Sequence, residues 1–117
     1  MTIDKNLLRL NHILESIRRI EVVTENLSYG DYINDWQKQD IIIRNMEIIG
    51  EASRQVDDDF KAKYPDVEWR QATAMRNFLI HEYFNVEYDE VWTTLKKDLP
   101  HFKIRIQEIF NDINIIK

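Results

Sequence analysis

The residues best suited to chemistry lie in the run Met75-Arg76-Asn77-Phe78-Leu79-Ile80-His81-Glu82-Tyr83-Phe84, where an arginine, an asparagine, a histidine and a tyrosine occur within strongly helical sequence. At about 100° per residue, with Arg76 at zero, Asn77 falls at about 100°, His81 at about 140° and Tyr83 at about 340°. The four polar groups therefore share one broad face. Met75, Phe78 and Leu79 fall at about 260°, 200° and 300°, so the other face is mainly apolar and suited to burial. A permanent cation, an amide one turn before an imidazole, and a phenol together fit a site that handles phosphate. Arginine offers phosphate a planar fork of donors, and histidine exchanges protons near neutrality because its ordinary pKa is about 6.5.

Positioning such a face requires helices, and the composition favours them. Two glycines and two prolines in 117 residues leave few turn signals, which points to a helical bundle rather than a sheet. Leu7, Leu10, Leu14 and Ile17, widened by Ile13 and Ile20, give a helical stripe over about 4–26. Ser28-Tyr29-Gly30-Asp31 breaks it. Asn34 or Asp35 can cap a second helix through about Val56. Asp57-Asp58-Asp59 reads as a capped turn into a short helix rather than a metal cluster. Pro65 ends that piece, and Asp66 can cap the motif helix over about 67–84. Asn85-Val86 then forms a turn, and a last helical region runs over about 88–113, kinked or divided at Pro100 because proline lacks an amide donor. The expectation is an all-α, up-and-down bundle of four main helices and one short helix, forming a single domain over 1–117.

A hydrophobic content of 44% and a charged content of 32% suit a soluble domain with charged helix surfaces. No apolar run reaches the roughly 18 residues of a membrane span, and the start Met-Thr-Ile-Asp-Lys-Asn does not read as an apolar core followed by a small-residue cleavage site, so a cytoplasmic rather than a secreted protein is expected. With no cysteine, thiolate catalysis and zinc–thiolate sites are excluded. A formal charge of −5 disfavours broad nucleic-acid binding but leaves room for a local basic patch. Lys96, Lys97, Lys103 and Arg105 could form one, although a solvated helix face is the commoner use of such a run. Trp36, Trp69 and Trp92 read as core or dimer packing rather than base-stacking platforms. His12 and His101 read as surface or helix-end residues. Gly50, inside a strong helix, marks a close helix approach. Arg44, Glu47 and Glu51 form a charged stripe, from which Glu47 or Glu51 could orient Arg76.

Arg76-Asn77-x-x-x-His81-x-Tyr83 resembles the Arg-x4-His-x-Tyr motif of HEPN-domain proteins, in particular the HepT-like toxins once grouped as a domain of unknown function. Ile48-Ile49-Gly50-Glu51-Ala52, the segment from Tyr64-Pro65 to Trp69, and Val91-Trp92 through Asp98-Leu99-Pro100 fall where that family has similar landmarks, so the likeness extends over nearly the whole chain. The resemblance implies a HEPN-like bundle, dimeric, acting as a metal-independent endoribonuclease toxin that needs no cofactor. Arg76 and His81 then become the catalytic pair, Asn77 their polar support, and RNA the substrate. It also implies an antitoxin partner, a minimal nucleotidyltransferase that transfers AMP to the motif tyrosine, here Tyr83.

The chemistry points the same way on dimerisation. Cleaving RNA without a metal requires a proton removed from the attacking 2′-hydroxyl and another delivered to the leaving 5′-oxygen. One histidine cannot readily serve both sides of phosphorus, whereas a twofold dimer supplies a second imidazole and guanidinium. The alternative is a noncatalytic subunit in which the same face binds a nucleotide or a nucleotidyltransferase partner.

Overall fold

The computed structural model describes residues 4–81 and 87–116, with the side chains of 76–81 and 115–116 outside the description. Among the described residues the chain is entirely helical, apart from turns. Four long helices form the bundle: α1 (Lys5–Thr24), α3 (Trp36–Gln55), α5 (Trp69–His81) and α7 (Leu99–Ile116). Three short ones, α2 (Tyr29–Ile33), α4 (Asp58–Ala62) and α6 (Tyr88–Thr93), join them. The four main helices match the expected architecture, and the short pieces are more numerous than the single one expected. No described helix is long and apolar enough to cross a membrane.

The start of α1 is set by Asp4, whose carboxylate accepts from the amides of Asn6 and Leu7 at 3.0 and 3.1 Å. This satisfies two of the donors a helix start leaves open. Leu10, Ile13, Ile17 and Ile20 are all essentially inaccessible, so the periodic stripe is the core face. The helix stops short of Asn26, which sits at φ 59°; asparagine tolerates this left-handed turn better than most residues. Ser28 does break α1, as expected, but its hydroxyl accepts from the Asp31 amide at 3.1 Å and starts the single turn of α2.

Asp35, one of the two caps anticipated for α3, accepts from the Lys38 amide at 3.1 Å. Buried Gln39 ties α2 to α3, donating through Nε2 to the carbonyls of Tyr32 and Ile33 at 3.0 and 3.1 Å. Gly50 is buried on α3, which packs against α1 on one side and α5 on the other. Asp57 precedes α4 but does not cap it. Its amide donates instead to Asn6 Oδ1 at 3.0 Å and its carboxylate accepts from Asn6 Nδ2 at 3.3 Å, fastening the α3–α4 turn to the start of α1.

Two local expectations give way to longer-range bonding. Asp66 was expected to cap the motif helix, but α5 begins at Trp69 and the Asp66 carboxylate accepts from Arg105 of α7 at 2.5 and 3.3 Å. A charge-assisted bidentate pair is stronger than a cap made with neutral amides. The division expected at Pro100 lies just upstream, in a π-helical turn over Thr94–Asp98 where the Leu99 amide donates to the Thr94 carbonyl. This i→i−5 register change lets Pro100, which has no amide proton, enter the first turn of α7. The expected end of the motif helix at Phe84 and the turn at Asn85-Val86 lie outside the described residues.

Hydrogen bonding from Arg105 holds the Asp66 carboxyl below its ordinary range, against a smaller opposing effect of burial. A lowered folded-state pKa stabilises the protein above the unfolded value of about 3.9 and ceases to do so as pH falls through the folded value. Asp66→Asn is therefore expected to lower stability slightly at pH 7 and to be indistinguishable from wild type near pH 2. Urea denaturation at both pH values checks this. Equal destabilisation at both would place the effect elsewhere.

Candidate functional site

The backbone of α5 is helical through His81, so the 3.6-residue periodicity that puts Arg76, Asn77 and His81 on one broad face applies to their positions. Their side chains, and all of Tyr83, lie outside the described residues. What is described is the frame. The first two turns of α5 are anchored by Trp69, 7% exposed, whose Nε1 donates to the Tyr64 carbonyl at 3.1 Å and whose ring meets Phe102 of α7 edge-on at 6.3 Å. Met75 is half-buried against the core, which fixes the rotation of the helix just before the motif.

The chain returning from the motif is fastened by α2. Tyr32 is fully buried and donates its hydroxyl to the Tyr88 carbonyl at 2.7 Å; Tyr29 hydrogen-bonds Asp89. Burial first, then nearby oxygens, pushes the Tyr32 hydroxyl far above the ordinary tyrosine range, so it acts as a permanent donor. Both rings pack on Trp92, at 4.8 and 5.8 Å between centroids. Sequence reasoning missed this anchor because α2 was read as a break; the signal was available in two tyrosines three residues apart.

The charged residues weighed from sequence are largely committed to one another. Glu47 faces Arg44 at 3.5 Å, and Glu51 accepts from Arg54 and Gln55 at 2.6 and 2.7 Å. The anticipated stripe is thus real, and whether either carboxylate reaches Arg76 lies outside the described residues. Lys103 pairs with Glu21 at 2.7 Å, Arg105 with Asp66, and Lys96 lies 4.7 Å over the Trp92 ring. Lys103 and Arg105 are thus interhelical ties and Lys96 makes a ring contact, while Lys97 is exposed. Of the three tryptophans, Trp69 is buried and Trp92 partly so, whereas Trp36 is 67% exposed and does not pack the core of this chain.

His12 and His101 are both exposed, as expected. His12, however, lines a polar concavity of about 240 Å³ between α1 and α3, shared with Arg9, Arg44, Glu47 and Glu51. Sequence reasoning did not find this grouping, because its members come from two helices. The spacings Arg9–His12 and Arg44–Glu47–Glu51 were the only signal.

An all-α bundle with an Arg-x4-His pair on its third long helix defines the structural class, and comparison with known proteins gives the family. The family described as Ribonuclease HepT-like matches residues 13–109, a span that includes Arg76, Asn77, His81 and Tyr83. The chain is 39% identical over 98 residues to "Putative RNase MJ1380" of Methanocaldococcus jannaschii, covering 84% of this chain and 90% of that one. It is also 39% identical over 100 residues to "Probable ribonuclease HepT" of Thermococcus cleftensis, covering 86% and 91%. No solved structure matches. The chain belongs to the HepT-like ribonuclease family.

Proposed function

We propose that the chain is the ribonuclease toxin of a toxin–antitoxin pair, cutting RNA without a metal at a site shared by two copies. The observation that carries this reading is the family match over residues 13–109, which encloses the complete Arg-Asn-x-x-x-His-x-Tyr run. In this mechanism one His81 imidazole takes the proton of the 2′-hydroxyl, whose oxygen attacks phosphorus. The second copy's imidazole protonates the departing 5′-oxygen. Arg76 stabilises the charge that builds on the phosphoryl oxygens, and Asn77 orients the imidazole or the phosphate. The helical frame suits this task because a site built on packed helices holds its groups more closely than one on loops.

Control is proposed to come from a minimal nucleotidyltransferase antitoxin that transfers AMP to Tyr83. The test of the activity is cleavage of RNA by the purified chain in the presence of chelator, with His81→Ala alongside. Cleavage by the parent protein that disappears in the variant supports the reading. Absence of cleavage by a folded dimer would favour a noncatalytic subunit that binds a nucleotide or partner through the same face.

A further inference from the structure

A groove opens between α5 and α7, on the side of α5 where Ala72 and Met75 lie, and its volume is about 350 Å³. Its floor is apolar: Met46 and Ile49 of α3, Ala72 and Met75 of α5, and Leu99 and Phe102 of α7. Few contacts close it. The Trp69 and Phe102 rings meet at one end, and Gln71 Nε2 reaches Asp98 Oδ2 across it at 3.4 Å. The two methionines make the floor adaptable, since an unbranched thioether side chain repacks around different partners.

Carboxylates stand on both rims, with exposed His101 near them on α7. Glu68 stands on the α5 side and Asp98, from the π-helical turn, on the α7 side; both are exposed. Asp66 also lines the groove, but Arg105 already matches it. Glu68 and Asp98 have no such cation among the described residues, and the bond from Gln71 to Asp98 leaves its charge in place.

We infer that this groove is a docking site for an amphipathic helix of a partner protein, one whose apolar face carries flanking lysines or arginines. Three observations select that occupant. The rim carboxylates repel RNA phosphates, so the groove is not a continuation of a nucleic-acid track. The exposed carboxylates of Glu68 and Asp98 complement an occupant that carries cations on both sides of its apolar face. The volume is at the low end for enclosed ligand pockets, yet the groove is open between two helices, which suits anchor side chains spaced along one face of a third. The inference goes beyond ribonuclease activity and does not depend on it. Because α5 forms one wall, an occupied groove would brace the helix that carries Arg76 and His81.

The test uses the full chain labelled with ¹⁵N and a synthetic 18-residue helical peptide with leucines at i, i+3, i+4 and i+7 flanked by lysines. A second peptide replaces the lysines with glutamates. The lysine peptide is expected to shift the backbone amides of Gln71, Ala72, Thr94 and Asp98, and to bind more weakly as salt is raised. Glu68→Lys combined with Asp98→Lys should weaken it roughly tenfold, as two favourable charge pairs become repulsive. The same double variant should gain affinity for the glutamate peptide, an exchange that partial unfolding cannot produce. Equal binding of both peptides to the parent protein, shifts confined to other helices, or lysine-peptide binding unchanged in the double variant would overturn the assignment.

Discussion

His81→Ala is expected to reduce RNA cleavage by about 10²–10⁴-fold, the range typical for removal of a positioned general acid or base. The variant loses both imidazoles of a symmetric pair, so the upper part of that range is expected. Arg76→Ala should cost about 10²–10³-fold, as loss of a fixed donor that stabilises transition-state charge typically does. Arg76→Lys should recover only part of this, because an ammonium keeps the charge but not the planar fork. None of these changes should unfold the protein. The described core of α5 is built from Trp69 and Met75, and α1, α3 and α7 supply further buried residues that these substitutions leave in place. Single-turnover cleavage rates, together with helix content and melting temperature of each variant, test the prediction. A His81→Ala protein with full activity would remove the imidazole from the mechanism.

The second large effect concerns Tyr83. Incubation with a cognate nucleotidyltransferase, ATP and magnesium is expected to attach AMP to the Tyr83 oxygen and silence cleavage. The phenolic oxygen attacks the α-phosphorus of ATP, the bond to the β-phosphate breaks, pyrophosphate leaves, and the phenolic proton passes to solvent. On a continued helix, Tyr83 would return to within about 20° of Arg76, so the attached phosphate could pair with the guanidinium while adenosine fills space needed by RNA. Tyr83→Phe removes only the hydroxyl; it should retain ribonuclease activity and resist silencing. Mass spectrometry locates the adduct. Modification elsewhere with Tyr83 untouched, or undiminished cleavage after stoichiometric modification of Tyr83, would contradict this control.

How much was legible in the sequence depended on whether a feature was settled locally. The stripe Leu10, Ile13, Ile17 and Ile20 was readable because burial follows helical period, and all four are core residues. The Asp35 cap was readable because it bonds within its own helix start. Asp66 looked equally like a cap, but Arg105, distant in sequence, outcompetes the local amides. Lys103 read as part of a solvated helix face or a basic patch and is paired with Glu21, far away in the chain. Such pairings depend on which helices become neighbours, and no local pattern encodes that. Pro100 announced a discontinuity correctly, whereas its form, a widened π-helical turn just upstream at Thr94–Asp98, has no local sequence signature. The motif itself was legible as a set of residue types at fixed spacing. The α2 anchor that holds the returning chain was not, since a five-residue helix leaves little periodic signal.

The most direct test of the central claim is the chemistry of the RNA ends left by the purified wild-type chain in excess chelator. Attack by the 2′-oxygen with imidazole proton transfer predicts a 2′,3′-cyclic phosphate on one fragment and a 5′-hydroxyl on the other, with both products absent in His81→Ala. Fragments bearing a 5′-phosphate and a 3′-hydroxyl, or cleavage that appears only when a divalent metal is restored, would contradict the account.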